Sequence, residues 1–303
     1  MNIQLVCAGL ELPEGPVAMS DGSVLVTEIK GQRLTRVMPD GTLQRVTDIA
    51  GGPNGAAIGP DGAVWITNNG GAFSWHEENG LCIPGLTPAT HQGGMIQRYD
   101  LNTGHLATVY EHCDGRRLIA PNDLVFDAAG GFWFTDYGSE NLQARQLGGV
   151  YYAKTDGSHI SRQRGPLISP NGIGLSPDGR VLYVADTMLA RLWAFDVIEP
   201  GKLAPMVGWA PGRVIANLQG FQELDSLAVE ASGRICVATI VNGGITVFDI
   251  DGSIEHHEFP DTLCTNICFG GPDMRTAWVT ASSTGKLYQA RWPRPGLKLN
   301  FNA

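Results

Sequence analysis

The sequence predicts an all-β chain wound into a six-bladed β-propeller. Three observations lead there. A strand–turn–strand phrase returns six times, its spacing is close to the length of a blade, and 40 Gly and 18 Pro accompany an absence of amphipathic stretches of helical period. The clearest phrases run from Pro53 to Thr67, from Pro121 to Thr135 and from Pro170 to Val184. Each has a polar residue, a short apolar run, a turn ending in Gly and a second apolar run. More worn copies run from Pro13 to Thr27, from Leu224 to Ala238, and from Cys264 through Asp273 to Thr276–Thr280. Their second residues fall at 14, 54, 122, 171, 225 and 265, so successive copies stand 40, 68, 49, 54 and 40 residues apart. Repeats of about 40–50 residues with four short strands each are propeller blades.

Each phrase supplies the two inner strands of a blade. A second hairpin supplies the outer pair, as in Arg33–Val37 with Leu43–Val46 and Gly149–Ala153 with His159–Arg162, and Asp-Gly or similar dipeptides mark the turns. The 68-residue gap contains the segment Ala72–Gly93, which falls between the second and third strands of blade two. Long loops on a regular scaffold are usually functional or mobile. His256 and His257 are expected on a solvated outer edge of blade five. Gly285–Trp292 is expected to form outer strands of blade six, with Ile3–Val6 completing that blade. The chain from 1 to 303 is thus read as one propeller domain.

Composition excludes several classes of function. The 303 residues are 43% hydrophobic and 17% charged, which allows a full core and excludes intrinsic disorder. Lys and Arg number 21 against 30 Asp and Glu, a net charge of −9. With no basic block, a nucleic-acid partner is not expected. Six Cys without a CxxC pair read as buried free thiols. Neither a positively charged leader nor a run of ~20 apolar residues is present, so the expectation is a soluble, cytoplasmic protein with no membrane partner. GxSxG, HExxH, P-loop and dinucleotide motifs are also missing.

The polar residue of each phrase sits at the head of an innermost strand, beside the central channel. These heads are Glu14, Asn54, Asn122, Asn171, Asp225 and Thr265. All carry an oxygen and none is cationic. Asn and Asp are favoured at strand starts for their local backbone bonds, which accounts for one such head better than for six. Two carboxylates facing each other across a narrow channel repel unless a positive charge lies between them. One divalent cation answers this. Calcium, magnesium or manganese suits carboxylate and amide oxygens, and zinc or iron could bind although the ring lacks Cys and His.

The phrases resemble the superfamily of the senescence marker protein, gluconolactonase and luciferin-regenerating enzyme, six-bladed propellers with one divalent metal at the top of the channel. The most specific pieces are Leu12–Pro16, Pro121–Asp123, Ser169–Ile173 and Leu224–Leu227. The resemblance implies Glu14, Asn171 and Asp225 as metal ligands, with Asn122 binding metal or substrate. It implies hydrolysis of a small-molecule lactone, of the sugar-acid type or related, in carbohydrate metabolism. The metal would polarise the carbonyl and Asp225 would assist the attacking water. Ala120 stands where gluconolactonase-like members often carry Arg. Thr265 stands where an organophosphate-hydrolysing branch carries His. Asn54, Asn122, Tyr137 and His91 are the candidate substrate contacts, with Phe73, Trp75 and Met188 nearby; Asp136 and Asp186 are expected to stabilise blade turns. The competing readings are a hydrolase of another ester or phosphoester at the same site, and a non-enzymatic propeller that binds a partner.

Overall fold

The computed structural model describes residues 1–302, which form strands and, among the described residues, no helix. Six antiparallel sheets surround a channel. Their innermost strands are Pro13–Ala18, Pro53–Ile58, Pro121–Phe126, Pro170–Leu175, Glu223–Val229 and Cys264–Gly270. Blade four takes Arg213–Asn217 as its outer strand, paired with Arg191–Glu199. In blade six, Ile3–Ala8 pairs antiparallel with Lys286–Arg291, so the first strand of the chain completes the last repeat, as the sequence suggested.

The inner strands are buried on both faces because each blade packs between two others. One apolar cluster fills each of the six interfaces. Between blades two and three, for example, Trp65 meets Phe126 and Phe132 with ring centroids 6.1 and 5.3 Å apart. Burying one such side chain contributes about 1.5–3 kcal/mol. Threonines that close the phrases pin one blade to the next. The hydroxyls of Thr27, Thr67 and Thr135 donate to the backbone carbonyls of Asn54, Asn122 and Asn171 in the following blade.

The approach of inner strands around the axis is close enough to select glycine. Gly15 has φ +48°, and a Cβ there would lie 2.5 Å from the Asn54 carbonyl oxygen. A Cβ on Gly172 would lie 2.6 Å from the carbonyl oxygen of Asp225. At the end of the channel away from the strand heads, Leu297 N–H donates to Val229 O and Asn300 Nδ2 to Phe126 O. These C-terminal residues close the base of a narrow, largely apolar shaft of about 80 Å³.

The expected insertion in blade two is a separate hairpin, Trp75–Glu78 with Leu81–Pro84, between strands Val64–Asn68 and Met95–Tyr99. His256 and His257 lie on the outer strand of blade five. His256 is exposed, as expected, with its Nδ1 bonded to the Thr246 hydroxyl; His257 is half-buried instead, packed edge-on against Trp292 at 4.6 Å. All six cysteines are free thiols; Cys82 and Cys268 are half-buried and the other four buried.

Candidate active site

The inner strands bring their heads together through a shared irregularity. Pairing with the second strand slips beside the head in every blade: between Glu14 and Val17, Pro53 and Ala56, Pro121 and Leu124, Pro170 and Ile173, Leu224 and Leu227, and Cys264 and Asn266. Bulges of this kind re-aim neighbouring side chains. Glu14, Asn54, Asn122, Asn171, Asp225 and Thr265 all line one cavity of about 210 Å³.

The floor of this chamber is acidic and buried. Glu14 is 2% exposed and Asp225 8%, and no Lys, Arg or His lines the cavity. Burial pushes Glu14 up to about 7, although hydrogen bonds from Asn266 and the Gly15 N–H oppose the rise. Burial, and then the charge of Glu14, hold Asp225 well above the usual carboxylate range. The same two causes bring Asp123 to about 7, and burial raises Glu223.

Hydrogen bonding leaves part of this ring without partners. Glu14 Oε2 accepts from Gly15 N–H and Asn266 Nδ2, each at 2.7 Å. Asn171 Nδ2 donates to Thr187 Oγ1 at 3.1 Å. Asn122 Oδ1 is buried and has no hydrogen-bond partner among the described residues. An orphaned amide oxygen beside two buried carboxylates with no cationic partner is a chemical environment that a hard divalent cation satisfies. Glu14, Asn122, Asn171 and Asp225 therefore fit such an ion. No group of three or more His, Cys, Asp or Glu gathers as a metal cluster among the described residues. The donor set is mixed carboxylate and amide, which favours calcium, magnesium or manganese over zinc.

Above the ring the walls turn mostly apolar, with Glu223, Thr187 and the Tyr137 hydroxyl as the polar exceptions. Leu12, Ile29, Tyr137, Ile240 and Leu263 come from the blades, and Phe73, Ile83 and Pro84 from the insertion. The insertion is tied to three blades. Cys82 N–H donates to Ser283 O at 2.9 Å, Lys30 Nζ meets Glu77 at 3.0 Å, and Thr87 N–H donates to Glu140 O at 2.9 Å. Trp75 and Cys82 also pack on Leu12, Ile29 and Leu263. The hairpin is thus held across the mouth.

Most of the residues expected at the site line the chamber, including Asn54, Tyr137 and Phe73. His91 does not, which corrects its expected place at the substrate: its Nε2 lies 2.9 Å from the Asn69 carbonyl, at the base of the insertion. Trp75 backs Phe73 at 6.2 Å instead of facing the cavity, and Met188 is exposed outside it. Asp136 holds its blade turn as expected, accepting from the N–H groups of Ile119, Ala120 and Gly138. Thr187 and Glu223 are additional lining residues that the sequence reading did not single out. Strand alternation was the available signal for Glu223: it precedes Asp225 by two, so both point to one face.

Residues 12–283 match the family model described as SMP-30/Gluconolactonase/LRE-like region. The chain belongs to this family. A gluconolactonase of Zymomonas mobilis is 26% identical over 308 residues, covering 92% of this chain and 79% of that protein. The lactonase drp35 of Staphylococcus epidermidis is 29% identical over 199 residues, and the match spans 62% of this chain and about half, 55%, of that relative. Among solved structures, a regucalcin of Agrobacterium tumefaciens described as a calcium-binding protein superposes with a TM-score of 0.73 at 18% identity, covering 97% of each chain. At that identity the likeness shows the fold. Among the described residues of this SMP-30/gluconolactonase/LRE-like chain, no helix is long and apolar enough to cross a membrane.

Proposed function

We propose that the chain is a metal-dependent lactonase whose reaction centre is the acidic ring. The observation that carries this reading is the pair of buried carboxylates, Glu14 and Asp225, beside the unpartnered Asn122 Oδ1 in a chamber without cationic side chains. The lactonase names of two relatives support the reaction class. The calcium-binding description of the regucalcin neighbour supports a divalent ion.

Glu14, Asn171, Asp225 and Asn122 would hold the ion. When bound, it would act as a Lewis acid on the lactone carbonyl and on the charge that develops there. Asp225 accepts the proton of the attacking water at a carboxylate oxygen. The carboxylate lines the chamber floor, within reach of a water attacking a carbonyl held there, which is the geometry a general base requires. Asn54 and Asn122 are neutral groups placed to orient a carbonyl or a ring hydroxyl. The blade-two hairpin excludes bulk water from above through Phe73, Ile83 and Pro84.

The test is metal-resolved hydrolysis. The protein is chelated, calcium, magnesium, manganese, zinc or iron is added back singly, and acid release is followed over a panel of lactones. Metal should restore turnover, and Asp225→Asn should lower kcat by about 10²-fold or more. Tight metal binding with no acid release from any lactone would overturn the reading.

A further inference from the structure

The chamber changes character along its height. The positions two residues before the six heads are Leu12, Gly52, Ala120, Ser169, Glu223 and Leu263, and none is basic. Leu12, Glu223 and Leu263 face the cavity, level with Ile29, Tyr137 and Ile240 on or just past the paired second strands, and the insertion adds Phe73, Ile83 and Pro84. Arg145 lies outside the lining: it donates to Glu140 and the Ile168 carbonyl and stacks 5.0 Å from the centre of the Tyr137 ring, while its Nη2 is buried without a partner among the described residues.

These walls discriminate between lactones. Away from the floor, a polyhydroxylated ring would find only Tyr137, Thr187 and Glu223 as polar side chains among Leu12, Ile29, Phe73, Ile83, Pro84, Ile240 and Leu263, and buried polar groups left unpaired are costly. An anionic substituent would meet Glu223 in addition to the ring carboxylates. We propose that the substrate is an uncharged lactone bearing an aliphatic or aryl substituent. Its carbonyl reaches the acidic floor and its substituent lies under Phe73, Ile83 and Pro84. This rests on the lactonase reading above. The cavity of about 210 Å³ is several times the ~30 Å³ a water occupies in the liquid, room for a lactone ring and a short substituent. The approach is apolar as well: Met188, Phe221 and Val241 are exposed in loops at this same end of the propeller.

The experiment pairs binding with turnover on the metal-loaded protein. Calorimetry measures the Kd of non-hydrolysable δ-lactams with alkyl chains of increasing length and of one polyhydroxylated δ-lactam, and kcat/KM is measured on the matching lactones. Kd should tighten about fourfold per added methylene until the chamber is filled, and kcat/KM should rise in parallel. Ile83→Ser should flatten that slope. A flat chain-length series, or a polyhydroxylated ligand preferred over its alkyl counterpart in binding and hydrolysis, would overturn the inference and leave the lactonase reading standing. Alkyl lactams that bind with the expected slope while no lactone is hydrolysed would overturn the lactonase reading alone.

Discussion

Asn266 Nδ2 donates to Glu14 Oε2 at 2.7 Å, joining the last blade to the first beneath the acidic ring. Together with the Gly15 N–H on the same oxygen, it fixes the carboxylate's orientation. A group that orients a metal ligand commonly accounts for 10–100-fold in affinity. Asn266→Ala should therefore weaken calcium or manganese binding by about that factor while the circular dichroism of the sheets is retained. Titration calorimetry reads the change directly. Unaltered affinity would mean that Glu14 needs no such support.

The raised pKa values of the buried carboxylates make metal binding and pH interdependent. Glu14 rises to about 7 from an ordinary 4.5, so between those values the folded, metal-free protein binds more protons than the unfolded chain. Its stability is then greatest below about 4.5 and falls as pH rises toward 7. Asp123 and Asp225 act in the same sense. Carboxylates with lowered values, such as Asp21 and Asp273, act in the opposite sense and below this window. In chelator, Tm should fall from pH 5 to 7; saturating calcium should remove most of the fall, and Glu14→Gln should reduce it. A metal-free Tm that rises through this interval would contradict the account.

Much of the fold and the ring could be read from the chain because both are periodic. The head of each phrase is visible as a polar residue before an apolar run, and strand geometry carries all six to one end of the channel. What surrounds the ring is less periodic. Asp123, Ser226 and Asn266 occupy the position that is Gly15, Gly55 and Gly172 in the other blades, and that substitution of side chains for hydrogen was present in the phrases. Its meaning depended on the bulge, which turns Asn266 toward Glu14 across 252 residues of sequence. His91 illustrates the opposite limit. A histidine in a long loop near the mouth is plausible as a contact, but where such a loop folds back is decided by partners such as the Asn69 carbonyl, which no local pattern announces.

Replacing Gly172 tests how tightly the inner strands must approach to form the ring. A Cβ there would meet the Asp225 carbonyl oxygen and Ser226 Cα, both at 2.6 Å, and backbone cannot move aside as a side chain can. Gly172→Ala should destabilise by about 1–3 kcal/mol and lower metal affinity too, because the displaced strand carries Asp225. Gly179→Ala, where nothing lies within 4 Å but φ is +70°, serves as the comparison. It should cost stability through backbone strain alone and leave metal affinity unchanged. Equal metal affinity in the two variants would separate the ring's geometry from blade spacing.

Asp136 tests whether the ring depends on the turns behind it. Its carboxylate accepts from Ile119 N–H at 2.7 Å, Ala120 N–H at 2.8 Å and Gly138 N–H at 3.0 Å, and it is fully buried. These three donors belong to the segment entering Asn122 and the segment leaving toward Tyr137, so one side chain fixes both approaches to the chamber. Asp136→Ala would leave three backbone N–H groups without an acceptor, at about 1–3 kcal/mol for each that water cannot reach. Asp136→Asn keeps one acceptor oxygen and should recover part of the loss. The expected order of Tm is therefore native, Asp136→Asn, Asp136→Ala, with KM for the lactone rising in the same order as Asn122 and Tyr137 lose their fixed positions. A fall in Tm with an unchanged KM would confine Asp136 to holding its blade together.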